Sequence, residues 1–369
     1  MKRILALILS LTLVMALFTA CGTSKETSKD ATDTPATTTP AETTTPDTTT
    51  PDTTAPAETA KAAKTGLAVI TSVGKSKDAT AEADGTGQVD SVAVALLIGQ
   101  DGKILDCKID TAQTKIAFSA TGVLTTPADT VFQSKQELGA GYGMVKNSKI
   151  GKEWFEQANA LADYVVGKTV EEVKGITVDE ASVPTVADLT ASVTIKIADY
   201  IAGIEKAAAN AKELGAVEGD VLGLAINTNM EGSKDAAADA EGVARAYSNY
   251  AAVTTNANGV ITSAVVDASQ SDVKFDATGK ITSDLAAELK TKQELGADYG
   301  MVKNSKIGKE WFEQANAFTA YVAGKTVEEV NGIALTEETK VADAELAASV
   351  TMKVAPYISV ITKAVGNAK

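Results

Sequence analysis

The sequence predicts an α+β protein in which one domain is written twice, each copy a mainly antiparallel sheet packed with helices, behind a disordered threonine- and proline-rich stalk. Three observations lead there. From Leu67 onward the chain repeats without a gap at an offset of 157, so Trp154-Phe155-Glu156-Gln157 returns as Trp311-Phe312-Glu313-Gln314 and Asp110 as Asp267. Within each copy the apolar period changes from two to about 3.6. Residues 31–60 hold 14 threonines and five of the eight prolines, with almost no aliphatic side chain to bury.

Taken in order, Lys2 and Arg3 precede an apolar run from Ile4 to Phe18 that ends in Thr19-Ala20-Cys21. Residues 1–20 thus have the basic, apolar and small-residue regions of a secretory signal. The cysteine directly after small residues resembles the bacterial lipobox, which implies cleavage before Cys21 and a lipid on its sulfur. Residues 21–66 then form a lipid-anchored Thr/Pro-rich linker. The expected address is the extracytoplasmic face of a bacterial cell membrane.

Repeat one is expected at 67–212, a linker at 213–223 and repeat two at 224–369. Val92, Val94, Leu96 and Ile98 alternate, Gln100-Asp101-Gly102-Lys103 supplies a turn, and Leu105, Cys107 and Ile109 alternate again. That pattern is an antiparallel hairpin. Trp154, Ala158, Leu161 or Ala162 and Val165 fall on one helical stripe ending near Gly167, and Thr169-Val170-Glu171-Glu172 is a capping box for a short helix. A last helix is read with Val193, Ile197, Tyr200, Ile201 and Ile204 on one face. A gap-free repeat of this length is a whole globular unit, and each copy is expected to fold by itself.

Composition excludes several classes of function. The chain has no histidine, so Ser-His and Cys-His nucleophile pairs and imidazole metal ligands are absent. Arg3 and Arg245 are its only arginines and the net charge is −14, the wrong sign for a nucleic-acid binder. Gly167-Lys168-Thr169 lacks the first glycine of a phosphate loop, and Ser72-Val73-Gly74-Lys75 has no Ser-Lys counterpart in the second copy. The acidic turns Asp78, Glu82, Asp84 and Asp235, Asp239, Glu241 fall short of a calcium ligand set, so no metal is expected. The block Lys135 to Ala160 matches Lys292 to Ala317 at 25 of 26 positions, including polar Lys146, Asn147, Lys149, Lys152, Glu156 and Gln157. A shared ligand surface and recent copying of DNA both account for it.

Asp78-Ala79-Thr80, Ala83-Asp84-Gly85, the alternating strand, Asp101-Gly102-Lys103-Ile104 and a second strand ending at Gln113-Thr114 resemble the N-terminal half of the FMN-binding domain family. Near the end of each copy, Asp188-Leu189-Thr190-Ala191-Ser192-Val193-Thr194 and Glu345-Leu346-Ala347-Ala348-Ser349-Val350-Thr351 resemble the family's D-x-x-S-G-A-T, with Ser192 and Ser349 where it has glycine. The resemblance implies FMN as cofactor, a role in electron transfer, and a site made by Gln113, Thr114, Asp188, Ser192 and Thr194 with Glu345, Ser349 and Thr351 in the second copy. In the family the last threonine carries FMN through a phosphodiester. With one arginine in the mature chain, a phosphate is expected to rest on backbone N–H groups and hydroxyls at the start of the last helix. The expected function is a membrane-anchored lipoprotein that binds a flavin or related small ligand. The alternative is a cell-surface structural or interaction module that keeps the fold without a cofactor and contacts a cell-envelope partner.

Overall fold

The computed structural model describes residues 60–368; the signal segment, Cys21 and the stalk up to residue 59 lie outside the described residues. Repeat one opens with β1 (Lys64–Ser72), β2 (Gly85–Ile98) and β3 (Ile104–Phe118), an antiparallel meander in the order β1-β2-β3. The β2–β3 turn forms as its residues dictate: Gly102 takes φ +78° and the Asp101 carboxylate accepts the Lys103 N–H at 3.0 Å. Helices follow at α1 (Lys135–Leu138), α2 (Trp154–Val165), α3 (Val170–Lys174), α4 (Ala187–Thr190) and α5 (Ala198–Asn210). Repeat two copies this plan with β4 (Val221–Asn229), β5 (Gly242–Thr255), β6 (Ile261–Phe275), α6 (Lys292–Leu295), α7 (Trp311–Val322), α8 (Val327–Asn331), α9 (Ala344–Ala347) and α10 (Ala355–Asn367). The α+β architecture with two antiparallel sheets is therefore as the periodicity indicates. Thr169 opens α3 through the expected capping box.

Each sheet is buried on both faces, and this corrects the expectation of independent copies. Val92, Val94, Leu96 and Ile98 point outward from β2 onto α2 and α5, whereas Ala93, Ala95 and Leu97 point to the other copy. The two inner faces pack together in two clusters. One joins Leu67, Val69 and Leu97 to Leu222, Leu224, Ile226 and Tyr250. The other joins Val73, Val89, Ile116 and Phe118 to Met230, Val273 and Phe275, with Phe118 stacked on Phe275 at 4.0 Å and 1°. The glycine at position 87 of β2 lets the sheets approach: a Cβ there would lie 2.7 Å from that of Ala244. The molecule is thus four layers, helix, sheet, sheet and helix, with its central core shared between the copies.

The contacts between copies come in pairs related by 157 residues, which gives the chain an internal two-fold axis. The Ala79 N–H donates to the Gly279 carbonyl (2.8 Å) and the Ala236 N–H to that of Gly122 (2.7 Å). Asp78 accepts the Ile281 N–H (2.7 Å) and Asp235 that of Leu124 (2.8 Å). Lys206 pairs with Glu294, and Lys363 with Glu137. Two carboxylates of the acidic turns are therefore staples between the copies. Thr125 takes up Asp84 (2.6 Å), while Lys274 and Thr282 take up Glu241.

Candidate functional site

The C-terminal motif does not open the last helix of either copy. Asp188 belongs to α4 and Glu345 to α9, both exposed, and the last helix of repeat one begins only at Ala198, beyond Thr194. Val193 and Ile197 are buried as the periodicity requires, yet both precede α5. The Ser192 hydroxyl turns back to the Leu189 carbonyl (3.3 Å), and Ser349 is half-buried with its N–H on the Leu346 carbonyl. Both donors of Thr194 are spent on one acceptor: its N–H and hydroxyl reach Gln157 Oε1 at 2.8 and 3.2 Å. Thr351 repeats this on Gln314 Oε1 at 2.8 and 3.2 Å. The expected phosphate cradle at the last helix is thus replaced by a closed hydrogen-bond set.

Gln113 and Thr114 point to opposite faces of β3, since successive strand side chains alternate, so one ligand does not touch both. Gln113 stands opposite Asp90 in the sheet register. Burial raises the affinity of Asp90 for a proton, but hydrogen bonds from Lys75, Gln88 and Gln113 outweigh it and hold the carboxyl below its ordinary range. Thr114 is buried on the inner face.

The near-identical block has a structural role for its buried polar members. Gln157, fully buried, also donates to Ser148 Oγ and the Lys152 carbonyl, both at 3.1 Å. Glu153, 6% exposed, accepts the N–H of Met144 at 2.7 Å and of Val145 at 3.3 Å. Together they pin the loop before α2 to the helix. In repeat two Lys292 lies 4.7 Å from the ring centres of Tyr247 and Tyr299 and 5.5 Å from that of Trp311. It donates to the Tyr247 hydroxyl (2.9 Å), and burial brings its ammonium down to about 8. Only 4% exposed, it is a core cation held by aromatic faces. Lys146, Asn147 and Lys149, with their counterparts Lys303, Asn304 and Lys306, stay exposed.

A cavity opens elsewhere, at a seam between the copies. It holds about 440 Å³ and lies between β1 and α5 of repeat one and β6, α6 and α7 of repeat two. Leu67, Val69, Val265 and Ala320 give apolar walls; Lys206, Asn210, Lys212, Gln293 and Asn316 give donors. Lys206 and Asn210 donate to the carbonyls of Val69 (2.7 Å) and Leu67 (3.0 Å) on the outer edge of β1. An antiparallel residue presents its N–H and C=O to the same side, so the N–H groups of Leu67 and Val69 face that edge too. Asp267 lines the cavity, accepting the N–H of Ala268 (2.7 Å) and of Gln293 (3.1 Å). Burial pushes its carboxyl up to about 7, against the lowering effect of Thr291 and these N–H groups. None of the residues of the FMN-family motifs lines this cavity, but Gln293, Glu294 and Asn316 of the near-identical block do. Its other walls, Thr65 to Val69 and Lys206 to Leu214, come from segments far away in the sequence, for which local patterns carry no signal.

Among the described residues no group of three or more Asp, Glu, Cys or His is placed to hold a metal ion, and no helix is long and apolar enough to cross a membrane. The chain is 30% identical over 124 residues to chlorophenol reductase of Desulfitobacterium hafniense. That match covers 31% of this chain, which spans 38% of the relative's length. No protein family profile matches the chain, and no solved structure does.

Proposed function

We propose that the protein is a lipoprotein anchored through Cys21 to the outer face of a bacterial membrane, where it binds FMN or a related flat ligand and serves as an electron carrier. The observation that carries the reading is the seam cavity, whose 440 Å³ and mix of apolar walls with a few polar groups suit a small cofactor. Its donors, Lys206, Asn210, Lys212 and the edge of β1, suit the carbonyls and phosphate of a flavin. The flavin supplies the redox chemistry when bound, and the protein supplies shelter, orientation and charge. The partial relative is named a reductase, in keeping with an electron-transfer setting. Attachment is non-covalent on this reading, because the hydroxyl protons of Thr194 and Thr351 are engaged by buried glutamines.

The same two glutamines favour a second reading, a cell-envelope structural or interaction module that keeps the fold and has closed its cofactor site. A visible absorption spectrum of protein purified from a flavin-replete host, followed by FMN titration, separates the two. Bound flavin that is released on denaturation supports the first reading. Absence of flavin together with no FMN binding leaves the second. Flavin that survives denaturation on Thr194 or Thr351 overturns the non-covalent assignment.

A further inference from the structure

We infer that Asp267 takes up a proton as a ligand enters the seam cavity and, as a neutral acid, donates a hydrogen bond to it, so that the cavity selects a flat ring rich in acceptors; this deepens the flavin reading above and rests on it. Asp267 lies opposite Tyr250 in the sheet register, is 7% exposed and lines the cavity. Among the described residues no cation forms an ion pair with it. The charges around it are engaged elsewhere or lie at the margin. Lys206 of α5 pairs with Glu294 of α6, and Lys212 is exposed. Lys292, also on α6, donates to the Tyr247 hydroxyl. On β5 the buried Tyr250 hydroxyl is shared with Ser269. Neither β1 nor α7 brings a charged side chain to the cavity.

Such a carboxylate is poised between two forms. Burial first and the charge of Glu294 last raise it, against the hydrogen bonds from Thr291, Gln293 and Ala268, and with the carboxyl at about 7 it is about half ionised at neutral pH before a ligand arrives. A ligand that displaces the cavity's water removes the remaining solvation of the charged form, so binding draws a proton from solvent onto a carboxylate oxygen. No electron moves and no other bond breaks. The acid then has an O–H to donate, which the carboxylate lacks. The other wall groups point the same way, because the acceptors are already taken. The Leu67 and Val69 carbonyls receive Asn210 and Lys206, Asn316 Oδ1 receives Gln293, and Glu294 receives Lys206. What is left over is donors: the second amide proton of Asn210, a further proton of Lys206 and the N–H groups on the β1 edge. A lining of donors fits a ring system with carbonyl and ring-nitrogen acceptors and rejects one that presents donors of its own.

The test is calorimetric titration of the detergent-solubilised full chain with riboflavin, which has no phosphate to take up protons, in buffers of different ionisation heat. The protons bound per ligand should be near zero at pH 5.5, about one half at pH 7 and about nine-tenths at pH 8, while the affinity falls about fivefold from pH 7 to pH 8. Asp267→Asn keeps the accepting oxygen and the size of the side chain and imitates the neutral acid. It should bind riboflavin with less proton uptake than wild type and more tightly than wild type at pH 8. Glu294→Gln, which removes the neighbouring negative charge, should move the fall in affinity to lower pH. Riboflavin binding by wild type with no proton uptake at pH 8, or uptake unchanged in Asp267→Asn, overturns the role of Asp267 while leaving the flavin reading standing. Binding of neither riboflavin nor FMN by wild type overturns the flavin reading itself.

Discussion

Cutting the chain between its repeats is the perturbation that asks most of the fold. A fragment of residues 60–212 exposes the inner face of its sheet, where Leu67, Val69, Val73, Val89, Leu97, Ile116 and Phe118 are each no more than 5% exposed in the whole protein. Full burial of an aliphatic or aromatic side chain of this size contributes about 1.5–3 kcal/mol, so the face as a whole represents about 10–20 kcal/mol as an upper bound. Even half of that rivals the total stability of an ordinary domain, about 5–15 kcal/mol. The fragment should therefore not persist as a cooperatively melting monomer. Sedimentation equilibrium should find it self-associated, and calorimetry should show a melt that depends on concentration. Adding residues 213–368 as a second fragment should restore one cooperative transition. Within the intact chain, Phe275→Ala should cost about 3–5 kcal/mol and shift a single transition that reports on both copies. A monomeric 60–212 fragment with a sharp, concentration-independent melt would refute the shared-core argument.

Asn249→Val should raise stability by about 1–2 kcal/mol at an unchanged denaturant slope, because Asn249 Oδ1 is buried without a hydrogen-bond partner where repeat one has Val92; a lower urea midpoint would contradict it. Burial raises the carboxyls of Asp110 and Asp267 to about 6 and about 7, so the stability that they contribute is complete below the ordinary carboxylate range and lost as pH rises through those values. The urea midpoint should fall between pH 5 and pH 7.5, and Asp267→Asn should flatten the upper part of that fall; identical slopes in both proteins would remove Asp267 as the cause. The Cys107 thiol, fully desolvated and pushed well above its ordinary range, should resist maleimide in native protein and react quickly in urea. EDTA should leave the melting temperature unchanged, since Asp78 and Asp235 accept backbone N–H groups across the seam; a large drop would restore a calcium role to the acidic turns.

The sequence made the outer half of each copy legible. The stripe from Trp154 to Val165, the box at Thr169 and the turn at Gly102 are local patterns, each answered by a local hydrogen bond or one buried face. The first strand was harder to read because Thr65 to Val69 is buried on both faces and shows little alternation. The last helix was placed too early because Val193 and Ile197 keep helical spacing while Val193 follows the end of α4 and Ile197 is the N-cap of α5. Ala93, Ala95 and Ala112 pass in the sequence for spacers between larger core residues. In the structure they are the contact surface of a second core. Residue types alone do not tell a small side chain facing water from one that admits a neighbouring sheet.

The two-fold arrangement also explains where the copies are free to diverge. Each staple is needed twice, so the Ala79 and Asp78 contacts, the Lys206 pair and the glycines at 122 and 279 recur at a fixed offset. The seam walls carry no such constraint, because a wall residue such as Ala320 touches the cavity and its counterpart Asp163 is free to take a charge. A symmetric assembly of two identical chains cannot treat its two seams differently. Joining the copies in one chain lets a substitution act at one seam alone, so the scaffold stays two-fold while its seam walls need not be.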